Sequence, residues 1–69
     1  MKIKYKYGLS DSEFNILKYM ADGNTNPDIA QKIFVCESTV KMHISHIFKK
    51  MNAHNRIQAI VKTIRENIV

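Results

Sequence analysis

Ser38, Met42, Ser45 and Lys49 recur at intervals of three and four residues in the segment that follows Cys36. Laid out at about 100° per residue they share one side of a helix, while Val40, Ile44, Ile47, Phe48 and Met51 fall on the other. A small, polar or basic face backed by an apolar stripe suits contact with a polyanion better than it suits a reaction. The charge distribution agrees. After Glu37 no acidic residue occurs until Glu66, and that interval holds Lys41, Lys49, Lys50, Arg56, Lys62, Arg65 and all three histidines. Nucleic acid or another anionic surface is the first class of partner to expect.

Other chemistries fit less well. His43, His46 and His54 with Cys36 invite a metal reading, since His43 and His46 sit three apart on one helix, but Cys36 lies two turns from His43 and no carboxylate is placed beside them, so no metal or other cofactor is expected. The start of a helix lowers the pKa of a thiol such as Cys36, and Glu37 next to it works in the opposite direction, so the thiol is expected to be inert. No nucleophile, base and orienting acid recur at a workable spacing, and there is no glycine-rich phosphate loop. An enzyme is not expected. Single-stranded RNA also fits poorly, because the tyrosines and phenylalanines fall near the N-terminus or on inward helical phases and offer no stacking platform.

Four helices are needed to position the outward face. Ser10-Asp-Ser-Glu13 has the form of a capping box, with Leu9 before it placed to staple against Phe14. The helix it opens runs to about Ala21, carries Ile16, Leu17, Tyr19 and Met20 as apolar surface, and stops at Gly23. Asn26-Pro27 restarts the chain, with Asn26 expected as N-cap of a helix over 27–33 that turns Ile29, Ala30 and Ile33 inward. Phe34-Val35-Cys36 makes a turn into the 37–51 helix, with Cys36 as a cap weaker than serine because a thiol is a poor acceptor. A last helix opens at Asn55 and carries Ile57, Ile60, Val61, Ile64 and Ile68. That is more apolar surface than a terminal helix needs to cover the first one, so part of the stripe is expected to pair two copies of the chain about a twofold axis.

A chain of 69 residues has room for one small domain, which buries only about 60% of its unfolded surface. The net charge is +5 and the sequence pI about 9.6. A single cysteine rules out an internal disulfide and fits a reducing compartment. No apolar run approaches the ~18 residues of a membrane span, and the opening Met-Lys-Ile-Lys-Tyr-Lys-Tyr lacks the apolar middle of a signal peptide, so a cytoplasmic protein is expected. Residues 1–8 alternate basic and apolar and are expected to form a basic arm, with residues 9–69 as the domain.

From Leu9 onward the chain resembles the LuxR-type (NarL/FixJ-like) helix-turn-helix DNA-binding domain. The resemblance is carried by Leu9-Ser10, Glu13, Ile16-Leu17, Ala21, Gly23, Asn26, Ile29-Ala30, Ile33, Val35, Glu37-Ser-Thr-Val-Lys-Met-His43, Ser45, Ile47, Lys49-Lys50 and Arg56. It implies an all-α, four-helix bundle that acts in bacterial transcription regulation. The third helix would lie in the major groove of double-stranded DNA and the fourth at a homodimer contact. Carried over by position, the resemblance puts Lys41, Met42 and Ser45 at base edges, with Asn26, Ser38, Thr39, His46 and Lys49 on phosphates. A second reading gives the chain the role of an interaction module that pairs with a full-length regulator of this type through the last helix.

Overall fold

The computed structural model describes residues 7–68. Four helices follow in order: α1 (Asp11–Ala21), α2 (Asn26–Ile33), α3 (Glu37–Met51) and α4 (Arg56–Arg65). No strand occurs among the described residues. Both α1 and α3 touch all three of the other helices. Their shared core holds Ile16, Leu17, Ile29, Val40, Ile47, Met51 and Ala59, each without measurable exposure.

Local chemistry fixes where each helix begins. The Ser10 hydroxyl accepts from the Glu13 amide at 3.2 Å and the Glu13 carboxylate accepts from the Ser10 amide at 2.8 Å, closing the expected capping box. Leu9 is buried and Phe14 packs against the cluster that contains it. For α2 the expectation needs correction: Thr25, not Asn26, is the N-cap. The Thr25 hydroxyl accepts from the Asp28 amide at 3.3 Å, and the Asp28 carboxylate accepts from the Thr25 amide at 3.1 Å. A β-hydroxyl one residue earlier satisfies two orphan donors reciprocally, and Asn26 moves into the first turn beside Pro27.

The four helix ends share one device. Gly23, Phe34, Asn52 and Asn67 all have positive φ. After each, the next amide reaches back five residues: Asn24 to Tyr19, Val35 to Ala30, Ala53 to Phe48 and Ile68 to Thr63, at 2.9 to 3.1 Å. These are Schellman turns, which satisfy the last carbonyls while reversing the chain. Lys62 strengthens the end of α3 by donating to the Met51 carbonyl at 2.8 Å, a cation against the negative end of the helix dipole.

Residues 1–6 of the expected basic arm lie outside the described residues, as does Val69. Tyr7 and Gly8, placed in that arm by the sequence, belong to the folded body instead. Tyr7 packs against the core and its hydroxyl donates to Glu66 Oε1 at 2.6 Å. The Gly8 carbonyl accepts from Lys50 Nζ at 3.1 Å.

The same ammonium lies 2.7 Å from Glu13 Oε1, joining the start of α1 to the end of α3. Burial pushes the Glu13 carboxyl up, but Lys50 and the Ser10 amide and hydroxyl together outweigh it and hold the group below its ordinary value. A carboxyl depressed by folding adds stability above its unfolded pKa of about 4.3 and loses it as pH falls through the folded value. Glu13→Gln should therefore cost about 1–3 kcal/mol near neutral pH, toward the lower end because Lys50 can still reach water. Denaturant titrations from about pH 7 down to about pH 3 should show wild type and variant converging, whereas a gap independent of pH would contradict an ionic contribution.

Candidate nucleic-acid interface

The apolar stripe of α3 decides what its other side is free to do. Val40, Ile47 and Met51 are fully buried and Ile44 is nearly so, which fixes the helix about its own axis. Ser38, Lys41, Met42, Ser45, His46 and Lys49 are then all exposed on one continuous face. Lys41 Nζ lies 3.8 Å from Glu37 Oε1 with both side chains largely in water, a contact too weak to hold the lysine back. The three residues expected at base edges, Lys41, Met42 and Ser45, thus come together, with Met42 49% exposed despite its apolar chain.

The five expected phosphate contacts divide. Ser38, His46 and Lys49 stand exposed on the α3 face, whereas Thr39 and Asn26 are half-buried. Asn26 Oδ1 accepts from Arg56 at 2.6 Å, and the same guanidinium donates to the Asn24 carbonyl at 2.8 Å. Arg56 therefore ties the start of α4 to the start of α2 and takes up the Asn26 oxygen.

Cys36 caps α3 without a side-chain hydrogen bond to the backbone. Its Sγ lies 3.1 Å from Ser38 Oγ and 3.2 Å from Thr39 Oγ1. Those two hydroxyls lead in lowering the thiol pKa from 9.0 to about 7, an influence that weighing the helix start against Glu37 did not include. Among the described residues no three metal-ligating side chains gather.

Beside the base-edge residues runs an open groove of about 530 Å³. Lys41, Ser45 and Lys49 line it along α3, Phe48 contributes apolar surface, and Asn52 and His54 come from the turn after the helix. Sequence reasoning had set His54 aside with the metal reading. The missed signal was its place three residues past the end of the helix that carries the basic face.

The stripe on α4 also divides. Ile57, Val61 and Ile64 are 75%, 41% and 65% exposed. Ile60 is half-buried and packs against the core. Ile68, expected at the dimer contact, is fully buried within the chain and drops out of that surface. Its amide bonds to the Thr63 carbonyl at 3.0 Å in the turn after α4, which folds it back into the core.

A model of the bacterial regulatory proteins of the luxR family matches residues 8–63. The chain belongs to this family. It is 53% identical over 57 residues to the uncharacterized transcriptional regulatory protein YxjL of Bacillus subtilis (strain 168), a match covering 83% of this chain and 26% of that protein. The nitrate/nitrite response regulator protein NarL of Escherichia coli (strain K12) is 42% identical over 60 residues, covering 87% and 28%. The transcriptional regulatory protein DegU of Brevibacillus brevis is 39% identical over 61 residues, covering 88% and 26%. The chain thus spans little more than a quarter of the length of these relatives. The all-α, four-helix architecture of this luxR-family domain is the one the resemblance implied. No helix among the described residues is long and apolar enough to cross a membrane.

Alkylation of Cys36 by iodoacetamide should rise with a midpoint near pH 7. Ser38→Ala, which removes the leading cause, should move that midpoint upward. An unchanged midpoint in the variant would sink the hydroxyl explanation.

Proposed function

We propose that this domain binds double-stranded DNA sequence-specifically as a transcription regulator, with α3 in the major groove. Lys41, Met42 and Ser45 would read base edges: lysine donating to guanine O6 or N7, methionine lying against a thymine methyl, and serine accepting either role. Ser38, Thr39, His46 and Lys49, with the Asn26 amide, would hold phosphates and set the register. The observation that carries this reading is the exposure of the whole outward face of α3 beside a fully buried inward stripe. That its relatives are named as transcriptional and response regulators points the same way.

Two copies would meet through Ile57, Val61 and Ile64 of α4, with half-used support from Ile60. Such a pair would present two α3 helices to half-sites about one helical turn apart. Because the same apolar surface could instead seat a longer family member, pairing with a full-length regulator is the second reading. The two separate on whether the purified chain binds duplex DNA alone. Selection from random duplexes should return a twofold-symmetric site, and failure to enrich any sequence would count against specific DNA binding.

Lys41→Ala should cost about 1–3 kcal/mol of binding on the selected site and relax preference at one base pair. Lys49→Ala should weaken binding on every sequence alike and flatten the salt slope by about one unit. Equal losses on all sequences for both variants, read by fluorescence anisotropy, would refute this division between reading and positioning. Ile64→Glu should shift sedimentation toward monomer without changing the circular dichroism spectrum, since a side chain so exposed contributes little to the fold. A wild type that is already monomeric at every concentration tested would rule out the α4 pairing.

A further inference from the structure

The groove beside α3 extends past the helix end, and the charged side chains that line it are basic. Lys41 and Lys49 enter it from α3, and His54 enters from the turn between α3 and α4. No acidic side chain lines it among the described residues; Glu37 approaches only Lys41, one turn earlier. From α4, Lys62 is held by the Met51 and Asn52 carbonyls at the end of α3 and does not line the groove, while Gln58 accepts from the His54 amide. That backbone bond fixes the turn while the exposed His54 imidazole has no hydrogen-bond partner among the described residues. Phe48, half-buried, gives the groove an apolar surface of the kind a deoxyribose can lie against.

We propose that this groove seats the DNA backbone strand flanking the bases met by α3, with His54 as a proton-dependent phosphate contact. The inference rests on the DNA reading above and extends its footprint beyond the helix. A duplex is the fitting occupant because the groove continues directly from Lys41 and Ser45, so a strand whose bases face those residues has its phosphates carried along this wall. Histidine is the side chain whose charge changes between about pH 5 and 8. A protonated His54 adds one counterion-releasing contact, which a neutral His54 does not.

The test measures binding of the 69-residue chain to a fluorescent random-sequence duplex of about 20 base pairs, across salt concentrations, near pH 6 and near pH 8. Phosphate contacts do not depend on sequence, so no operator is needed. His54→Gln should flatten the slope of log affinity against log salt by about 0.9 near pH 6 and leave it unchanged near pH 8. His54→Lys should keep the steeper slope at both values. The readout is the difference between each variant and wild type at the same pH, so that every other group cancels. If His54→Gln overlays wild type near pH 6 while wild type binds duplex, the groove contact is overturned and the DNA reading stands. If wild type binds no duplex even at low salt, both fall.

Discussion

The buried stripe of α3 is the constraint from which the site follows. Val40, Ile44, Ile47 and Met51 lie against α1, α2 and α4, and burying each such side chain contributes roughly 1.5–3 kcal/mol. Rotating α3 by one residue would expose that surface and bury charge in its place. The outward face is thus held by packing rather than by contacts of its own. Lys41, Met42, Ser45 and Lys49 can remain unencumbered because the helix that carries them is anchored on its other side. A rigid element that presents loose side chains suits a site that must meet an external partner.

Net charge is a poor guide to which cations are available for that partner. Lys50 is spent on Glu13 and the Gly8 carbonyl, Arg56 on Asn26 and Asn24, and Lys62 on the end of α3. Lys32 lies 5.2 Å from the centre of the Tyr19 ring. Each of these ties one helix to another, and each leaves the outward face of α3 unaffected. Lys49 and the weakly held Lys41 stand apart from them. The acid-free interval from Ser38 to Arg65 therefore mixes two populations, one that positions α3 and one that faces outward from it.

What could be read from sequence was what local spacing controls. The capping box of α1 involves residues three apart, and the two-sided pattern of α3 follows from helical periodicity, so both were legible. The partner of Glu13 was not, because Lys50 is 37 residues away and only packing brings the two together. The start of α2 was open to two local solutions. Thr25 with Asp28 and Asn26 with Pro27 each satisfy helix-start chemistry, and Arg56, from 30 residues downstream, draws off the Asn26 oxygen while Thr25 caps the helix. The depressed Cys36 thiol was missed because charge was weighed at Glu37 while the hydroxyls of Ser38 and Thr39 were not.

The remaining errors lie just past helix ends, where periodicity stops carrying information. Ile68 sits in phase with Ile57, Val61 and Ile64 only if α4 continues, but the helix ends at Arg65 and Asn67 takes a φ of 54°. A left-handed residue reverses the chain, so the next side chain points where the turn sends it rather than where the stripe would. Ile68 is sent into the core. The turn after α3 obeys the same rule with a different result. Asn52 takes the left-handed conformation, Ala53 is turned inward, and His54 is returned to the outward side beside Lys49. One backbone device thus removes a residue from the expected dimer surface and adds another to the edge of the basic face. Helical phase alone indicates neither, because each depends on a single positive φ.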